Sequence, residues 1–153
     1  MKRRLINDRS SYLGGMAEWL IASVLKFMWK SEYKSLQGNI GLGAAIAHYT
    51  SIGIPVSLPL NDTQKYDLVI DRGSLLKVSI KTTSSKAKSG NYIVQLRNTG
   101  GSSGKYKVRK FIPNEVDILF VLTEDGNKYE IPTSLVYVGS ALTLTADLDK
   151  FKL

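Results

Sequence analysis

Two alternating runs, residues 66–71 and 75–82, constrain this chain more than any other feature. In both, apolar side chains recur at every second position, the spacing with which a β-strand presents one face. Leu68 and Ile70, with Leu76, Val78 and Ile80, form an apolar face. Asp67, Val69 and Asp71, with Lys77, Ser79 and Lys81, form the opposite, solvent-facing one. Gly73-Ser74 between the runs supplies a turn, so the two strands are expected to make a hairpin. A hairpin centred on Ser74 sets Asp67 opposite Lys81, Val69 opposite Ser79 and Asp71 opposite Lys77. Directly opposed Cβ atoms lie about 4.5–5.5 Å apart, so a carboxylate and an ammonium share one patch.

The flanking sequence surrounds this hairpin with mixed elements. Leu42, Ala45, Ile46 and Tyr49 have helical spacing, predicting a helix over residues 40–52 with Asn39 as its cap and Gly53 as its stop. Strands are expected at residues 54–58, 92–96, 116–123 and 128–131, and a short helix at 133–136. The run at 116–123 is nearly all apolar, as in a strand buried on both faces. The order gives an α/β (α+β) fold, a mixed β-sheet flanked by helices. The chain has 153 residues, enough for one core. Residues 28–153 are expected to form that domain, with residues 1–27 as an N-terminal extension.

Several chemistries are excluded outright. There is no cysteine, hence no disulfide, zinc–thiolate site or thiol nucleophile. The single histidine, His48, rules out a His-rich metal site, and a structural or solvent-facing role is expected for it. The apolar run at residues 19–29 is broken by Ser23 and Lys26 and is too short to span a bilayer, so no membrane partner is expected.

Charge is concentrated rather than spread. Residues 81–110 hold Lys81, Lys86, Lys88, Arg97, Lys105, Lys107, Arg109 and Lys110 and not one acid. Removing these eight from the 21 basic residues leaves 13 against the 13 acidic ones, so the rest of the chain is neutral. A stretch so basic suits a polyanion, through counterion release from phosphates; a solvated basic face without a partner is the alternative. Gln95, Arg97 and Asn98 are of types that read base edges. Residues 92–97 and 105–110 are candidates to pair as a ribbon across the Gly/Ser-rich loop at 98–104, with a mobile surface loop as the alternative.

Asp67 and Lys81 together suit phosphodiester hydrolysis. A hard divalent cation takes oxygen ligands such as Asp67, and a nearby ammonium steadies the developing charge. A cross-strand surface ion pair is the competing reading, and the one expected for Asp71 with Lys77. Beyond the spacing, the sequence from Asn39 to Lys81 contains Gly41-Leu42-Gly43, Gly53, Pro59-Leu60, Tyr66-Asp67-Leu68, Gly73 and Lys77-Val78-Ser79-Ile80-Lys81 in order. This resembles the PD-(D/E)XK homing endonucleases of group I introns. The likeness continues through residues 91–97, 117–123 and 128–132 to the closing 149–153.

The resemblance implies a restriction-endonuclease-like core, Asp67 as metal-binding acid, Lys81 as catalytic lysine, and Mg²⁺ as cofactor with Mn²⁺ as substitute. Ser79 stands where that family has Glu, Asp or Gln, so as a catalytic and metal-site residue it is a neutral, short ligand. Glu32 is a candidate to add a carboxylate from the first helix, with a solvated helix residue as the stronger competing reading. The implied partner is double-stranded DNA, cut at a specific site. Two strands must be cut with one site per chain, so a homodimer or homotetramer is expected. A DNA-binding protein that no longer cleaves is the alternative, favoured by Ser79.

Residues 14–26 carry a second reading. Among their possible codons are ones that spell the first half of a serine tRNA gene, with GCT and AGC as a D-stem and CTTGAAA as an anticodon loop. The reading frame would then pass from a tRNA exon into an intron near Lys26. An amphipathic helix over residues 16–29 is the alternative, although its apolar residues do not form one stripe.

Overall fold

A computed structural model describes residues 34–61, 63–97, 111–137 and 139–153. The expectations for residues 1–27, Glu32, Asn98, Lys105, Lys107, Arg109 and Lys110 lie outside the described residues. Helix α1 spans Lys34–Ser51, starting well before the expected residue 40. Asn39 is therefore an exposed residue inside the helix and not its cap; the preceding Leu36 and Gln37 are good helix formers and let the turn propagate. The end is as expected. Gly53 takes φ +76°, its N–H donates to Thr50 O at 3.0 Å and that of Ile54 to Tyr49 O at 2.9 Å, the two bonds of a Schellman stop.

Strand β1 (Val56–Ser57) runs antiparallel to β2 (Leu68–Asp71), and β2 to β3 (Leu75–Thr83). The hairpin register differs from expectation by two residues. Asp71 pairs with Leu75 and Val69 with Lys77, so the turn centres on Gly73 and not Ser74. Gly73 is the residue at φ +85°, a conformation that disfavours any side chain, and its N–H donates to the Asp71 carboxylate at 2.9 Å. Glycine thus fixes the centre. A two-residue slip keeps every side chain on its expected face but changes each partner. The expected Asp71–Lys77 ion pair does not form: Asp71 holds the turn, and the Lys77 ammonium lies 6.0 Å from the Tyr66 ring centre.

Strand β5 (Ile118–Thr123) joins β3 in parallel, Val78 against Ile118 through Thr83 against Thr123, and β6 (Lys128–Pro132) joins β5 antiparallel. The five-stranded mixed sheet has the order β1-β2-β3-β5-β6. All six residues of β5 are buried, as its apolar sequence predicts. On one face α1 presses Ala45 and Tyr49 against Leu68, Ile70, Val78 and Phe120. The approach is close: a Cβ on Gly41 would stand 2.5 Å from Thr82 Cγ2 and 3.0 Å from Ile80 Cγ2.

The other face is covered by a second sheet, β4 (Ile93–Gln95) with β7 (Ala141–Thr143). Val94, Leu96 and Leu144 pack there with Leu119, Val121 and Ile131. The expected solvent-facing side of the hairpin therefore borders a second core, and Ser79 is only 2% exposed. Strand β7, the partner of β4, was not predicted, nor was the closing 3-10 segment Ala146–Phe151. The partner expected for residues 92–97, residues 105–110, lies outside the described residues; at β4, β7 takes one edge, while on the other the Ile93 N–H donates to Ser85 O at 2.8 Å. The helix expected at 133–136 is the short 3-10 turn Thr133–Leu135, held by the Thr133 hydroxyl donating to Val116 O at 2.5 Å. Among the described residues, no helix is long and apolar enough to cross a membrane.

Candidate active site

Asp67 stands at the entry to β2, where the hairpin opens. Its N–H donates to Val78 O at 2.9 Å, anchoring the residue to β3. Its carboxylate turns the same way: Oδ2 accepts the Ile80 N–H at 2.6 Å and lies 3.4 Å from Ser79 Oγ, which donates to it. A charge-assisted N–H contact this short is strong, whereas the hydroxyl contact is at the long limit. Both donors share one oxygen, Oδ2, and the residue is exposed, so the carboxylate can serve a ligand.

Lys81 lies two residues further along β3, on the same face as Ser79. Its lateral neighbour on β5 is Val121, as Leu119 is that of Ser79. Burial in these surroundings pushes the Lys81 ammonium below the usual lysine range, and the nearby Asp67 charge opposes that fall. The expected juxtaposition of Asp67 and Lys81 is thus present as an electrostatic one. Lys81 is one pleat beyond the residue that meets Asp67, and that residue is Ser79. With the register corrected, Asp67, Ser79 and Lys81 form one group.

Of this group, Asp67 lines a cleft of about 490 Å³. Gly38, Asn39 and Leu42 of α1 form one wall, Pro59, Leu60 and Asn61 another, and Asp67 lines it beside Ile80 and Thr82. No sequence pattern points to Asn39, Asn61 or Thr82 here, and the Ile80 N–H carries no signal at all, because every non-proline residue has one. The Pro59 that follows β1 was visible as a strand end, but not as a cleft wall.

A divalent cation suits this place in part. Asp67 offers a hard, exposed oxygen beside a partly desolvated ammonium. No group of three or more His, Cys, Asp or Glu occurs among the described residues, so Asp67 is the carboxylate that the described site contributes. Ser79 adds no charge, and its hydroxyl is committed to Asp67.

Other candidates separate from the site. His48 lies near the far end of α1, against Tyr49 and Phe120 with ring centres 5.2 and 6.2 Å away. Burial, followed by the Lys128 charge, lowers its pKa; it is a packing residue, as expected. Lys86, Lys88, Gln95 and Arg97 are exposed, with the Lys86 ammonium 4.5 Å from the Tyr92 ring centre.

Comparison with known proteins gives the family. The family described as PD-(D/E)XK endonuclease matches residues 33–147. Among solved structures, the bacterial homing endonuclease I-Ssp6803I is similar at a TM-score of 0.62 and 32% identity, over 73% of this chain and 78% of that one. A search of curated proteins returns no match.

Proposed function

The chain belongs to the PD-(D/E)XK endonuclease family, and from that premise we propose that it is a homing endonuclease making a site-specific, metal-dependent double-strand cut in DNA. The observation that carries this reading is the placement of the Asp67 carboxylate, pinned through Oδ2 to β3 and exposed in a cleft beside Lys81. The metal dependence is the family's chemistry. Mg²⁺, with Mn²⁺ as substitute, would be held by Asp67, with Ser79 supporting that carboxylate and Glu32, ahead of α1 in sequence, as a second acid. Bound there, the ion supplies an activated water and charge stabilisation on the phosphate.

The chain's own residues contribute positioning and charge. Asp67 cannot swing away while the Ile80 N–H holds Oδ2, so its other oxygen keeps a fixed aim into the cleft. Lys81 places a cation where negative charge develops on the phosphate, in surroundings that weaken water's screening. Lys86, Lys88, Gln95 and Arg97, with Asn98, Lys105, Lys107, Arg109 and Lys110, are the proposed DNA contacts. Two cuts per site require a homodimer or homotetramer, and an uninterrupted copy of the host gene, that of a serine tRNA, is the proposed target.

The test is incubation with Mg²⁺ and a plasmid carrying an uninterrupted serine tRNA gene, beside an Asp67→Ala control. One discrete double-strand cut, lost in the control, supports the reading. Ser79, neutral where an acid is expected, favours a second reading: a DNA-binding protein that no longer cleaves. Tight, salt-sensitive binding of that plasmid with no cut would select it.

A further inference from the structure

The two-stranded β4–β7 sheet has an inner and an outer face with different chemistry. Val94 and Leu96, with Leu142 and Leu144, point into the second core. Outward, Gln95 is paired with Ala141 and Ile93 with Thr143, and Gln95, Ala141 and Thr143 are all exposed. The sheet is held from beneath by that core and along β4 on both edges. Besides the Ile93 bond to Ser85, the Leu144 N–H donates to Tyr92 O at 2.8 Å and the Leu96 N–H to Ser140 O at 3.0 Å. The outer face is therefore a preset surface, which is what readout of base edges requires.

Its residue types match one kind of ligand. A glutamine can bond adenine through N6 and N7, and the methyl groups of alanine and threonine suit the thymine methyl. The flanks are basic: Lys86, Lys88 and Arg97 are exposed, and residues 81–97 contain no acid. The surface is also joined to the site. β3 continues from Lys81 and Thr83 into residues 85–86, which bond to Ile93 and Tyr92.

We propose that the outer face of the β4–β7 sheet enters the major groove, with Gln95 specifying an adenine and Ala141 and Thr143 contacting thymine methyls. Lys86, Lys88 and Arg97 hold the flanking phosphates. The groove, about 12 Å wide, admits a two-stranded ribbon. This rests on the nuclease reading above and adds which surface reads the sequence and what it reads.

The experiment uses the full chain with Ca²⁺ and a library of randomised DNA duplexes, the bound fraction being sequenced. Wild type is compared with Gln95→Ala, Thr143→Ala and Lys88→Ala, each first matched to wild type by thermal melting. Wild type is expected to enrich one sequence. Gln95→Ala should lose preference at one adenine, bind the enriched duplex about tenfold more weakly, and bind random duplex unchanged. Thr143→Ala should relax one A·T position, and keeps the test open should Gln95→Ala fail to fold. Lys88→Ala should weaken all duplexes alike and reduce the salt slope by about one. Enrichment by Gln95→Ala and Thr143→Ala identical to wild type, or a uniform loss across all duplexes, would overturn the assignment. Wild type that binds duplex without enriching any sequence overturns it too, leaving the nuclease reading intact. Wild type that binds no duplex at all removes the nuclease reading and this inference together.

Discussion

On its even-numbered side β3 sets Val78 and Ile80 against α1, where Ala45, Tyr49, Leu68, Ile70 and Phe120 complete an apolar layer. On its odd-numbered side the same strand sets Ser79 and Lys81 beside Leu119 and Val121, at the border of a core that β4 and β7 close only further along. One side fills its space with hydrocarbon; the other leaves a carboxylate, a hydroxyl and an ammonium where a Leu or Val would pack. The difference teaches where stability and chemistry are divided. The helix-covered face holds the sheet while the opposite face carries a partly desolvated cation. The cleft that Asp67 lines opens at the α1 side, beside Ile80 and Thr82. Buried polar groups are costly unless partnered, and the site limits that cost by keeping Asp67 exposed and Ser79 bonded to it.

The comparison breaks most sharply at Asp67. Asp67→Ala should lower the rate of DNA cleavage by about a thousandfold or more, while stability by urea denaturation falls by only about 1–3 kcal/mol, because the Ile80 N–H and the Ser79 hydroxyl lose their acceptor. A comparable loss of stability would mean that the two faces are not separable. The reverse case is Phe120, fully buried on the α1 side. Phe120→Ala should cost about 3–5 kcal/mol of stability, read by chemical denaturation, with cleavage per folded molecule retained at low temperature.

Lys81 lies between these extremes. Lys81→Met should cut cleavage about a hundredfold and leave stability equal or raised. Its sign with pH is fixed by the direction of the shift. The folded pKa is below 10.5, so between that lowered value and 10.5 the unfolded chain binds more protons, and wild-type stability rises with pH in that window. Lys81→Met should lose that rise; pH-dependent melting curves that still show it would assign the slope to another group.

Smaller effects sharpen the boundary. Gly41→Ala gains up to about 1 kcal/mol of helix propensity, but its Cβ meets the stiff Thr82 side chain at 2.5 Å. Overpacking of about 1–3 kcal/mol should win, and because Thr82 lines the cleft, cleavage should fall with it. Smallest is Lys65→Ala, which removes the 3.0 Å contact with Glu115 between two exposed side chains. Melting should change by less than about 1 kcal/mol, and cleavage not at all.

Much was legible in the sequence because it depends on neighbours along the chain. The period-2 runs at 66–71 and 75–82, the Gly53 stop and the fully apolar β5 are local signals, and each element is where those signals put it. Asp67 and Lys81 were legible too, since a one-strand alternation fixes which residues share a face whatever the register. What failed was pairing. A hairpin centred on Ser74 or Gly73 has the same alternation, and only the positive φ at Gly73 decides that Asp67 meets Ser79. Strand β7 is three residues with no strong pattern of its own; it is a strand because β4 and the second core offer it partners.

By itself, then, the sequence determined the hairpin strands, the buried β5 and the end of α1, the polar and apolar faces of the hairpin, and the basic character of residues 81–110. These follow from side-chain period and charge, which need no distant contact. Tertiary structure decided the register around Gly73, the burial of Ser79 and Lys81, the cleft between α1 and Pro59, and the union of β4 with β7. All but the register join residues far apart in the chain, and so are set by packing and hydrogen-bond partners that no local pattern specifies. The register is set by the turn conformation at Gly73, which alternation alone does not show.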